Sequence, residues 1–120
     1  MTSARKKSLD QPDESRPIDK GKVEVVELDS GSVMRTTFEP GWRWSECVKP
    51  IVGGDSCQVD HFGYCVSGRL HVVMEDGEEF EVGSGEASHI PPGHEAWVVG
   101  DEPYVGVDFT GAEEYAKPTG

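Results

Sequence analysis

The sequence predicts an all-β domain of antiparallel strands, closed as a barrel or packed as a two-sheet sandwich. Three observations carry that expectation. Apolar residues recur in short alternating runs, the period-2 pattern of half-buried strands. Turn residues punctuate those runs at even spacing, drawn from 15 Gly and 8 Pro in a chain of 120 residues. No segment shows the 3.6-residue apolar period of an amphipathic helix. At this length one core is expected and a second domain is not.

Residues 1–22 are polar, mixed in charge and interrupted by Pro12 and Pro17. Such a segment buries too little apolar surface to offset the entropy of ordering it. The sequence therefore predicts a flexible N-terminal arm, with Leu9 and Ile18 as its points of contact with a neighbouring sheet. The barrel is expected over residues 23–110 and a C-terminal tail over residues 111–120.

Within the barrel, residues 23–28 and 33–38 alternate as strands around the turn Asp29-Ser30-Gly31. Pro40-Gly41 turns the chain into residues 42–48, and residues 50–56, with Gly53-Gly54 and Asp55, have the composition of a loop. Residues 58–66 resume as a strand, closed by Ser67-Gly68. Asp76-Gly77 lies between the alternating runs 70–75 and 79–82, a strong hairpin signal. Residues 87–90, 95–99 and 104–109 follow, separated by Pro91-Pro92-Gly93 and a second polar turn.

Charge narrows the partners. The net charge is −12, yet the first 22 residues hold six basic side chains against four acidic ones, so the remainder is about −14. An acidic body repels phosphate backbones, which argues against nucleic acid as a partner. No apolar run reaches the ~20 residues that span a bilayer, and the N-terminus lacks the apolar stretch of a secretory signal. A cytoplasmic protein without a membrane partner is expected, with Cys47, Cys57 and Cys65 as free thiols. Serine-hydrolase, P-loop, dinucleotide and Cys-x-x-Cys signatures are absent.

The turn spacing resembles that of the cupin family. Gly85, five residues, Pro91, one residue, Gly93 and a short strand are similar to the second cupin motif. The first motif joins a Gly, two His, a Glu and a closing Gly. Counted from Pro40-Gly41, Cys47 and Lys49 stand where the family commonly has its two His; counted back from Gly68, His61 stands where it commonly has Glu. Residues 50–56 read as an insertion between those anchors. In the second motif Ala96 occupies the usual His position, with His94 two residues earlier on the same strand parity. Together with Gly41-Trp42-Arg43-Trp44-Ser45-Glu46, these features make the chain look like small bacterial single-domain cupins.

The resemblance implies a double-stranded β-helix, or jelly-roll, barrel that binds a small organic molecule, and a homodimer. It also implies a divalent transition metal, Fe, Zn, Ni or Mn, and, if the protein is an enzyme, a metal-assisted oxygenation or isomerisation with His94 as ligand or general base. Alternation over residues 57–65 puts Cys57, Val59, His61, Gly63 and Cys65 on one face. Imidazole and thiolate are good ligands for such ions. The metal candidates are thus Cys47, Cys57, His61 and His94, and the ligand-lining candidates are Trp44, His61, Tyr64 and Trp97. Two plainer readings stand beside these: a metal-free ligand-binding or regulatory cupin, and a barrel in which His61 and the cysteines only fill the core. Arg43 and Arg69 are expected in internal salt bridges, and His71 and His89 as structural or surface residues.

Overall fold

The Asp76-Gly77 hairpin forms as its composition predicts. Strands β5 (Arg69–Met74) and β6 (Glu79–Gly83) pair antiparallel around it. Gly77 takes φ of 95°, where a side chain would be strained. Asp76 contributes differently: its carboxylate accepts from the Glu78 amide at 2.9 Å and fixes the turn.

The computed structural model describes residues 4–112 and 115–117. In chain order the other elements are β1 (Glu14–Ile18), β2 (Gly21–Leu28), β3 (Gly31–Phe38), α1 (Trp44–Cys47), α2 (Lys49–Val52), β4 (His61–Ser67), β7 (Ala87–Ile90), β8 (His94–Val98) and β9 (Tyr104–Asp108). They form a six-stranded sheet, β1-β2-β3-β9-β4-β7, and a three-stranded sheet, β6-β5-β8. All pairings are antiparallel. This is the all-β jelly roll that the sequence implied.

The core lies between the two sheets and holds Val23, Val25, Met34, Phe38, Val72 and Val82. Burying each such side chain stabilises the fold by about 1.5–3 kcal/mol. On β4 the inward His61, Gly63 and Cys65 alternate with the outward Phe62, Tyr64 and Val66. A bulge between Cys65 and Ser67 shifts the register of β4 against β9.

Three segments depart from the expectation. Glu14–Ile18, within the expected arm, pairs with β2 as a sheet-edge strand. Upstream of it the Asp13 amide donates to the Val25 carbonyl, and Arg35 donates to the Leu9 carbonyl and to Asp10. The segment lies on its own sheet, and backbone pairing together with Arg35 supplies the ordering energy that apolar burial does not. Residues 44–52 form two helices of one turn each rather than strand and loop, too short to show a helical period in sequence. In the expected tail, Ala112, Tyr115 and Ala116 are buried in the core.

Candidate metal centre

Two strands and one loop bring the site together. His61 is the first residue of β4 and points inward by the strand's alternation. His94 opens β8 immediately after the Pro91-Pro92-Gly93 turn. Cys57 sits in the loop before β4 and is pinned to β8 by backbone: its amide donates to the His94 carbonyl at 2.8 Å, and the Gly93 amide donates to its carbonyl at 2.7 Å. One donor atom from each of Cys57, His61 and His94 lies within 4.8 Å of the others, and all three residues are buried.

Both imidazoles are oriented by what their other nitrogen does. His61 Nδ1 donates to Asp108 Oδ2 at 2.9 Å, and His94 Nδ1 donates to the Pro91 carbonyl at 2.8 Å. With Nδ1 engaged elsewhere, Nε2 is the nitrogen each ring has to offer a metal once it is deprotonated. His61 Nε2 stands 3.8 Å from Cys57 Sγ, and the two rings meet edge to face at 5.2 Å between centroids.

Charge at the site follows from these contacts. Burial alone would push the Cys57 thiol up, but hydrogen bonds from His61 and His94 outweigh it and bring it down to about 6. Burial likewise disfavours a charged His61, yet Asp108 and Cys57 raise it to about 9. Near neutrality, with no ion bound, the pair is thiolate and imidazolium: Cys57 is already in the form that binds metals, and an ion would have to displace the proton on His61 Nε2.

Asp108 reaches His61 because Gly63 lies opposite it in the β4–β9 ladder. A Cβ at Gly63 would run into the Val107 carbonyl and the Asp108 carboxylate. Tyr115, from the expected tail, closes the other side, its ring 5.1 Å from that of His61.

A cavity of about 40 Å³ opens beside the two histidines, lined among others by Trp42, Trp44, Leu70, Ala96 and Tyr104. That is room for roughly three waters. A larger, mostly apolar cavity of about 240 Å³ lies against Cys57, and Trp44 and Tyr115 line both. The indole Nε1 atoms of Trp42 and Trp44 are buried without a hydrogen-bond partner, the only such side-chain N or O atoms among the described residues. A buried donor left in that state is destabilising by about 1–3 kcal/mol.

The structure sorts the expected residues. Cys57, His61 and His94 converge. Cys47 does not: it sits on α1 with its thiol 3.8 Å from the Asp19 carboxylate, and burial raises its pKa. Trp44 lines the cavity with His61, whereas Tyr64 points outward at 47% exposure. Trp97 also lies outside, stacked on His71 at 4.6 Å with the Arg43 guanidinium 4.1 Å from its ring centre. β4 and β8 parity accounts for both corrections, since each residue alternates with an inward neighbour.

Arg43 and Arg69 make the internal ion pairs expected of them, with Glu95 at 3.8 Å and Glu81 at 3.5 Å. His71 and His89 turn out to have carboxylate partners, Glu79 and Glu81 for the first and Asp60 for the second. Sequence reading missed Asp108 and Tyr115. A signal existed for Asp108, which shares strand parity with the buried Tyr104 and Gly106 on β9.

No protein-family model and no curated protein matches the sequence. Solved structures do resemble it. An RmlC-like cupin from Shewanella frigidimarina is 20% identical, with 93% of this chain and 95% of that one aligned at a TM-score of 0.62. KdgF from a Halomonas species is 21% identical over 82% of this chain and 80% of its own, at 0.53. An oxalate decarboxylase from Lactobacillus farciminis, in complex with formate, is 19% identical over 85% of this chain at 0.60. The chain spans about a third of that enzyme's length, 32%. At these identities the likeness is one of fold.

Proposed function

From the premise that this chain is a cupin by fold, we propose that its barrel holds one divalent transition-metal ion on Cys57 Sγ, His61 Nε2 and His94 Nε2, with a small ligand in the adjoining cavity. The observation that carries this reading is the commitment of both Nδ1 atoms elsewhere, which leaves the two Nε2 atoms and the Cys57 thiolate as the donors that converge. Bond lengths of about 2.0–2.3 Å in a tetrahedral site put donor atoms about 3.3–3.6 Å apart. The 3.8 Å between Cys57 and His61 is close to that spacing.

A thiolate and two imidazoles favour Zn, Fe or Ni over Mn, which prefers oxygen ligands. Three protein ligands leave a position open, as in catalytic rather than structural sites. An ion there would act as a Lewis acid toward a bound oxygen. Asp108 keeps His61 in the ligating tautomer, and the Tyr115 ring shields that histidine from water.

Elemental analysis of protein purified without added metal tests the reading. About one ion per chain is expected, lost from Cys57→Ser, His61→Ala and His94→Ala and retained by Cys47→Ser. Protein that stays metal-free after incubation with Zn²⁺, Fe²⁺ and Ni²⁺ would exclude it and leave the metal-free binding cupin in its place.

A further inference from the structure

β4 and β9 carry His61 and Asp108 on their inner face and apolar side chains on their outer one. Phe62 and Phe109 are 54% exposed, and Tyr64 and Val66 are 47% exposed. Strand register makes these four one patch. The Phe109 amide donates to the Phe62 carbonyl at 2.8 Å, Tyr64 stands opposite the half-buried Val107, and at the bulge Val66 and Ser67 share Val105. Six apolar side chains thus lie in two adjacent rows, on a sheet face that faces solvent and would ordinarily be polar. The N-terminal segment lies further along the sheet, where Arg35 of β3 holds Leu9 and Asp10, and leaves the patch bare.

Charge and shape say what covers it. None of the six residues is charged, in a chain of net charge −12. The charges at the rim are already neutralised: Arg35, beside Val107, by Glu24 and Asp10, and His89, beside Phe62, by Asp60. An acidic protein meets its own copy without repulsion only through such a face, whereas a basic partner finds nothing there to pair with. The patch is also uneven from end to end. Phe62 and Phe109 make one end bulky, Val66 and Val105 make the other low, and Tyr64 lies between them. A two-fold axis at Tyr64 sets the bulky end of each copy on the low end of the other, the self-complementarity that an isologous contact requires.

We propose that the outer face of β4 and β9 is the contact between two copies of this chain, packed sheet on sheet about a two-fold axis at Tyr64. The contact does not depend on the metal site. Apolar rows form its centre and neutralised ion pairs its rim, the arrangement of a specific interface. The patch offers fewer residues than the roughly 20–30 a side of a standard interface, so the dimer is reversible, with a Kd of about 10 µM.

Sedimentation equilibrium of the full chain, from about 1 µM to about 1 mM, tests this. The mass is expected to rise from 13.1 kDa toward twice that value. Tyr64→Glu is expected to weaken association about thirtyfold or more with an unchanged far-UV circular dichroism spectrum, and Tyr64→Phe to leave it within about threefold. Tyr64→Lys is expected to dissociate the dimer as Tyr64→Glu does. An equimolar mixture of these two charged variants is expected to restore it, because the axis sets residue 64 of one copy against residue 64 of the other. A dimer that Tyr64→Glu leaves intact, a mixture that stays monomeric, or growth beyond two copies overturns the proposal. So does a monomer at every concentration, and flotation of that monomer with phosphatidylcholine vesicles would then assign the face to lipid.

Discussion

His61 is held by Asp108 on one nitrogen and faces Cys57 with the other, so the carboxylate both fixes the ring and makes it a better ligand. Asp108→Asn keeps an acceptor at that point and removes its charge. The expected result is a zinc affinity about 10–100-fold weaker with the fold unchanged, measured by competition with a chromophoric chelator. An affinity equal to wild type would make Asp108 a bystander. Gly63 belongs to the same arrangement, since any side chain there would occupy the space of the Asp108 carboxylate. His61 and His94 were legible in the sequence because alternation and residue chemistry pointed the same way, whereas Cys57, expected on the same strand face as His61, lies in the loop before β4 and reaches the site through its bridge to His94. Asp108 was harder to read, because an acid at the end of a strand is usually solvated; its parity with Tyr104 and Gly106 points inward, and the pairing with Gly63 makes room for its carboxylate.

At the scale of elements, β5 and β6 place His71 opposite Glu81 and within reach of Glu79. The two carboxylates raise the His71 pKa above its ordinary value, Glu79 first and Glu81 second, against a small opposing effect of burial. A histidine whose folded pKa is raised stabilises the fold fully below its unfolded value of about 6.5 and loses that contribution as pH climbs through the folded value. Glu79→Gln/Glu81→Gln should therefore be less stable than wild type at pH 5.5, with the gap narrowing by pH 9, as read by urea denaturation. A gap independent of pH would sever the link. The hairpin itself was legible from Asp76-Gly77, whereas the carboxylate partners of His71 depend on register, which composition does not specify.

In the molecule as a whole, the first strand and residue 115 meet behind the site. The buried Arg16 of β1 donates to the Tyr115 carbonyl at 2.7 Å and is paired with Glu14. Tyr115 then stands against His61 and lines both cavities. Arg16→Met keeps the apolar stem and removes the donor to a buried carbonyl. The expected loss is about 2 kcal/mol of folding stability, measured by chemical denaturation; an unchanged midpoint would show that the contact carries no weight. Ala116, next to Tyr115, is buried with φ of 57°, a left-handed conformation that the surrounding packing must hold in place. No helix among the described residues is long and apolar enough to cross a membrane.

What the sequence determined by itself was an all-β domain of antiparallel strands and the inward row of β4. Period-2 alternation and turn chemistry are local properties, set by the backbone and readable residue by residue. The membership of the site was decided by tertiary structure. Cys47 and Cys57 are the same residue type, both buried, yet β8 pins Cys57 to His94 while α1 turns Cys47 toward Asp19. Asp108 and Tyr115 reach His61 from the far end of the chain through strand register and packing. Convergence of that kind is a property of distances across the fold, and distances between residues 50 apart are fixed only when the sheets close on their core.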